Sequence, residues 1–239
     1  YKKEGKLKAL IVTGCLAQRY QQEIIDEIPE VDAVLGTTSY DHIVEAVEEA
    51  LAGNGHVVLE DVDALPDVKE KRLVTTGGHY AYMKIAEGCD KHCTYCIIPY
   101  ARGPIRSLPL EKAKEQAAQL AAEGYQELVL TGIEISSWGQ ERKDGTALID
   151  LVEGVCQAVP GCRVRLGSLE PRTVTREFCT RAARLDNLCP HFHLSMQSGC
   201  DATLKRMNRK YDTERFYESV ALLRDHFEDP AITTDMIVG

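Results

Sequence analysis

Residues 87–103 read EGCDKHCTYCIIPYARG and put three thiols, Cys89, Cys93 and Cys96, within a few positions of each other. A closed zinc cage takes four ligands, commonly as two short Cys pairs. A disulfide framework takes an even set in a small, loop-rich secreted chain. The spacing here is C-x3-C-x2-C, and no further cysteine follows before Cys156. A cubane iron–sulfur cluster normally has four thiolate ligands. With three supplied, one iron keeps an open site that a small chelating ligand can take. The alternatives are a zinc knuckle, with His92 inside the loop as a crowded fourth donor, or incidental thiols.

Working outward, the loop is flanked by alternating strand and helix patterns. YAYMKIAEG (80–88) reads as a strand that ends at the cysteines. Downstream, 110–125, 147–159, 175–185 and 213–227 have helical spacing. The runs 127–133, 163–169, 191–197 and 231–239 read as strands. Five strand–helix steps with short connections predict a barrel-type parallel sheet, whose chemistry lies at the carboxyl ends of its strands. The cysteine loop follows the first of these strands. Upstream the same rhythm appears in strands at 6–14, 31–36 and 56–61, with helices at 17–28 and 39–53, the latter capped by Ser39 and Gly53. Residues 60–79 lack apolar periodicity and read as a linker. The expected architecture is α/β. A truncated amino-terminal α/β domain with its linker (1–75) precedes a partial (β/α) barrel (76–239).

The 239 residues are 44% hydrophobic, enough for a substantial core. No apolar run approaches the roughly 20 residues of a membrane span, so no membrane association is expected. Nine cysteines, an odd number, in a helix-rich chain point to a reducing cytoplasm. The net charge of −9 does not favour nucleic-acid binding, although local basic clusters can supply it. The chain opens on Tyr1 leading into a strand and closes after a strand-like run, so it reads as a piece of a longer protein.

The cysteine loop resembles that of the radical S-adenosylmethionine enzymes. The resemblance implies a 4Fe–4S cluster whose open iron binds the amino and carboxylate groups of S-adenosylmethionine. An electron then breaks a C–S bond to give a 5′-deoxyadenosyl radical. The motifs EGCDKHCTYCIIPYARGPIRS, ELVLTGIEISSWG, FHLSMQSGCDATLKRMNRKY and TTDMIVG, with VTGCLAQRY upstream, narrow the resemblance to the methylthiotransferases. That family carries a second 4Fe–4S cluster on three further cysteines. Cys15 matches the third of them, and the other two would lie upstream of Tyr1. Read alone, Cys15 is a thiol at a strand end.

The resemblance also implies roles for other residues. Tyr95 would lie near the adenine, or pack in the core. Gly132 and Glu134 sit where the superfamily contacts the methionine amino group, and glycine permits close backbone approach. Ser195 and Gln197 end the fourth barrel strand, where Gln197 could bind a ribose. Arg165 could bind a carboxylate with its planar fork, or join an ion pair. Arg102 and Arg106 could face cofactor, substrate phosphate or nearby acids. The run Lys205, Arg206, Arg209 and Lys210 could touch an RNA backbone, or be a solvated helix face. No catalytic acid or base is evident.

The function implied is methylthiolation, with a reductant such as flavodoxin or ferredoxin. LTGIEISSWG and RLGSLEPRTVT look most like the branch acting on threonylcarbamoyladenosine of tRNA, which is the favoured reading. GCLAQRY and YAYMKIAEGCD lean toward the branch acting on an aspartate of a ribosomal protein. A non-catalytic metal- or cluster-binding module in RNA maturation is a third reading.

Overall fold

The computed structural model describes residues 1–55, 57–63 and 77–238. The chain divides into two units, Tyr1–Lys69 with Cys96–Pro104, and Glu70–Tyr95 with Ile105–Gly239. The expected boundary near residue 75 lies outside the described residues.

The first unit contains β1 (Ile11–Thr13), α1 (Cys15–Tyr20), α2 (Gln22–Glu27), β2 (Ala33–Leu35), α3 (Ile43–Leu51) and β3 (Val57–Val58), and also α4 (Ile98–Arg102). Its strands are parallel in the order β1-β2-β3. Every residue of the central strand AVL is buried, because a parallel strand covered on both faces has no solvent side. Val34 packs with Ala17 and Val31, whereas Ala33 and Leu35 pack with Ala46. The helix expected over 17–28 is two helices, broken at Gln21, whose φ is +47°. The helix expected from Ser39 begins as α helix only at Ile43. The Ser39 hydroxyl accepts from Glu60 N (3.0 Å) instead of capping.

The second unit opens with β4 (Tyr80–Glu87). Then come β5 (Arg106–Ser107), α5 (Leu110–Ala122), β6 (Glu127–Gly132), α6 (Leu148–Ala158), β7 (Arg163–Leu166), β8 (Ser168–Leu169), α7 (Arg176–Ala182), β9 (His191–Leu194), α8 (Asp201–Arg206), α9 (Thr213–His226) and β10 (Ala231–Thr233). The strands β4, β6 and β7 run parallel in that order, with β5 antiparallel at the edge. β8, β9 and β10 are parallel in turn. The strand expected over 163–169 therefore divides at Gly167, each half pairing with a different neighbour. Sequential strands sit side by side with no reversal of order, so the sheet curls as part of a barrel rather than as an open doubly wound sheet.

The strands bury Met83, Ile85, Leu128, Leu130, Leu166 and Phe192 against the helices in one cluster. Helix α5 supplies Ala113 and Ala117, α6 supplies Leu151 and Val155, and α9 supplies Leu223. Trp138 is fully buried, its indole N–H donating to Leu108 O at 2.9 Å with the Arg142 guanidinium 4.6 Å from its ring.

Candidate functional site

Strand β4 delivers the chain to the cysteine loop through Gly88, whose φ of +75° is costly for any side chain but glycine. Cys89 and Cys93 belong to the second unit, and Cys96 begins the segment grouped with the first. All three are outside any disulfide and half-buried, unlike Cys156, Cys162, Cys179 and Cys189, which lie in the core. Burial pushes Cys156 up to about 12 and Cys179 up to about 11, as expected of packing thiols.

The end of α8 anchors the loop. The last carbonyls of a helix have no intrahelical donor. Here Arg206 O accepts from Thr94 Oγ1 (3.1 Å) and Met207 O from Thr94 N (3.2 Å). Asn208, in the left-handed region at φ +59°, donates from Nδ2 to His92 O at 2.8 Å. Next, Arg209 Nη1 donates to Cys93 Sγ at 3.2 Å and Nε to Tyr211 Oη at 2.9 Å. The buried Tyr211 hydroxyl donates in turn to Ser195 O. The basic run is thus not a uniform solvated face: Lys205, Arg206 and Lys210 are exposed, but Arg209 turns inward.

Within the loop, Lys91 Nζ lies 2.8 Å from Glu170 Oε2 and 3.6 Å from Glu134 Oε2. Arg172 clamps Glu170 through Nε and through Nη2 at 3.1 Å. The Glu134 carboxylate also accepts from Ser136 N (2.9 Å) and from the Ser137 hydroxyl. Ser136 Oγ accepts from Glu170 N at 2.8 Å. Two cations therefore alternate with two anions at the carboxyl ends of β6 and β8. Burial opposes ionisation of Glu170, but the hydrogen bonds and charges of Arg172 and Lys91 outweigh it and hold its carboxyl below the usual range. Beside this network opens a cavity of ≈ 400 Å³, lined in part by Lys91, Ser136, Gln140, Glu170, Arg172 and Thr175.

Tyr95 is half exposed, at 49%. Gly132 is tight against the neighbouring strand: a Cβ there would lie 2.6 Å from Ala86 O, where β4 bulges. Its close backbone approach is therefore to β4. Ser195 N donates to Leu169 O at 2.9 Å. Gln197 sits at φ +64° and bridges Met236, with its N–H on Asp235 O at 3.1 Å. Arg165 adopts the ion-pair alternative. Its Nε donates to Glu127 Oε1 at 2.7 Å, and Glu127 is the first residue of β6, the end opposite the cysteine loop. In the first unit Cys15 starts α1, and Arg102 Nε reaches its Sγ at 3.1 Å. Arg106 is buried in β5, paired in register with Glu87. Lys91, Arg172 and Tyr211 carry the site's polar framework yet gave no sequence signal of their own; each had only the indirect one of lying inside a motif, EGCDKHCTYC, RLGSLEPRTVT and FHLSMQSGCDATLKRMNRKY respectively.

Residues 83–239 match the radical SAM superfamily. The chain belongs to that superfamily. Radical SAM proteins use a 4Fe–4S cluster and S-adenosylmethionine. Similar proteins include the ribosomal protein uS12 methylthiotransferase RimO of Lachnoclostridium phytofermentans, 43% identical over 100% of this chain and 54% of its own length. The threonylcarbamoyladenosine tRNA methylthiotransferase MtaB of Thermotoga maritima is 40% identical over 98% and 53%. This radical SAM chain thus spans about half the length of the curated relatives it matches. Among solved structures, the cobalamin-dependent S-adenosylmethionine radical enzyme OxsB shares the fold at TM-score 0.63 and 11% identity, over 99% of this chain and 37% of its own.

The donor set suits the cluster. A cubane takes its thiolates on different irons. The loop offers three reachable soft donors, one of which, Cys93, already accepts a hydrogen bond from a guanidinium. Among the described residues no helix is long and apolar enough to cross a membrane.

Proposed function

We propose that the protein is a radical SAM methylthiotransferase, replacing a hydrogen on carbon by a methylthio group. The observation that carries this is similarity over 98–100% of this chain, at 43% and 40% identity, to about half the length of two methylthiotransferases. Cys89, Cys93 and Cys96 hold the cluster and leave one iron to the amino and carboxylate groups of S-adenosylmethionine. When bound, the cluster supplies the electron that breaks the cofactor's C–S bond. Glu134, held by Ser136, Ser137 and Lys91, presents a fixed carboxylate to the cofactor ammonium, with Gly132 beside it. Tyr95, Ser195 and Gln197 flank the nucleoside. Arg165, engaged by Glu127, stiffens the sheet instead. Cys15 is the third ligand of a second cluster.

The substrate we favour is the uS12 type of ribosomal protein, modified at an aspartate. Two observations support it over tRNA. Several relatives at 43% and 37% identity are uS12 enzymes, and Arg209, the inward member of the basic run, is engaged with Cys93 rather than open to a phosphate. This reverses the order read from the motifs. The tRNA reading keeps its own support in LTGIEISSWG and in the 40% identity to the Thermotoga maritima enzyme. A reductant such as flavodoxin or ferredoxin supplies electrons in either case.

The test has two arms. Anaerobic reconstitution with iron and sulfide, then dithionite and S-adenosylmethionine, should yield 5′-deoxyadenosine. A loaded protein that yields none sinks the enzyme reading in favour of a binding module. Expression in a strain lacking its methylthiotransferases, followed by mass spectrometry of uS12 and of tRNA nucleosides, should show the added group on uS12. Its appearance on tRNA alone reverses the substrate assignment.

A further inference from the structure

Arg209 is held on three sides. Its Nε donates to Tyr211 Oη at 2.9 Å, its guanidinium lies 5.0 Å from the centre of the Tyr211 ring, and its Nη1 donates to Cys93 Sγ at 3.2 Å. Its neighbours fix the same geometry. Arg209 N donates to Leu204 O at 2.9 Å, and Asn208 and Thr94 tie the end of α8 to the cysteine loop. Lys205, Arg206 and Lys210, from the same stretch, remain exposed. A planar fork pinned by an aromatic and aimed at one sulfur does more than neutralise acids. A hydrogen bond to a thiolate ligand withdraws electron density from the metal and favours the state carrying the extra electron.

We propose that Arg209 is a positioning residue that raises the reduction potential of the cluster held by the 89–96 loop, through its hydrogen bond to the Cys93 thiolate. This rests on Cys93 being a cluster ligand, as proposed above. Tyr211 extends the arrangement. Its hydroxyl accepts from Arg209 and donates to Ser195 O, so the guanidinium that touches the sulfur is shared with the strand end assigned to the cofactor. Displacement of Ser195 would therefore be felt at Cys93.

The test is a redox titration of the anaerobically reconstituted protein, followed by the electron paramagnetic resonance of the reduced cluster. Arg209→Gln removes the charge and the fork. At a fixed ambient potential it should lower the ratio of reduced to oxidised cluster about tenfold, which is about 59 mV for one electron. Arg209→Lys keeps a point charge without the fork and should fall between Gln and the native protein. Lys205→Gln removes an exposed charge of the same run without touching the loop or the sulfur, and should stay within about twofold of native. The inference is overturned if Arg209→Gln titrates like the native protein, or if Lys205→Gln shifts as far as Arg209→Gln. Should Arg209→Gln lose its circular dichroism, Arg209→Lys decides, and native titration by that variant overturns the inference. Cys93→Ala separates the two layers. Full iron content and an unchanged signal in that variant would show that the ligand assignment itself has failed.

Discussion

Glu170 is nearly enclosed, at 8% exposure, yet ionised, because Arg172 and Lys91 both reach its carboxylate. Removing a partner from such a group leaves a charge with neither water nor counterion. Glu170→Gln should destabilise the unliganded protein by about 1–3 kcal/mol at pH 7, read by urea unfolding through the fluorescence of Trp138. The sign with pH follows from its lowered native value. The stabilisation is complete above the unfolded carboxylate value of about 4.3 and is lost as pH falls through the native value. The gap between native protein and Glu170→Gln should therefore stay constant from pH 6 to about 5 and narrow below about 4.3, and a gap that widened there would refute the pairing. At the thiols, alanine at Cys89, Cys93 or Cys96 should each cut the iron bound on reconstitution several-fold. Alanine at the exposed Cys200 should leave it unchanged. The three cysteines stood out from spacing alone, because a spacing of a few residues is a local property of the chain. Lys91 was not, since its meaning comes from Glu134 and Glu170, which only the folded sheet brings to it.

Among the elements, the long helices and strands were readable from their periods. The misses share a physical cause. Helix α8, Asp201–Arg206, is too short for a period, and its end is fixed by bonds to the cysteine loop rather than by its own sequence. The single run 163–169 gave no sign that β7 and β8 would pair with different neighbours. Glycines at element contacts make the packing testable. At Gly132 an added Cβ would meet backbone, 2.6 Å from Ala86 O, which cannot rotate away. At Gly154 in α6 it would meet the flexible tip of Leu110 at 2.7 Å. Gly132→Ala should cost about 1–3 kcal/mol. Gly154→Ala should cost less, because replacing a mid-helix glycine returns about 1 kcal/mol. Urea midpoints in the opposite order would contradict this packing.

Over the whole molecule the nine thiols separate into two populations. Five are reachable, Cys15, Cys89, Cys93, Cys96 and Cys200, and four are buried. Burial holds Cys156 and Cys179 protonated far above neutral pH, and thiols react as thiolates. A disulfide reagent added to the metal-free native protein at pH 8 should titrate about five thiols quickly and the rest only on unfolding. Fast reaction of all nine would mean the core is not packed as described. The sequence by itself determined the α/β class, the order of the long strands and helices, and the close spacing of Cys89, Cys93 and Cys96 that carries the family resemblance. Periods and spacings of a few residues belong to the chain wherever it folds. Only the tertiary structure decided that Arg165 serves Glu127, that Arg209 serves Cys93, and that Lys91 joins Glu134 to Glu170. A charged side chain takes its role from whichever partner burial leaves within reach, and that is settled by how the strands and helix ends meet in space.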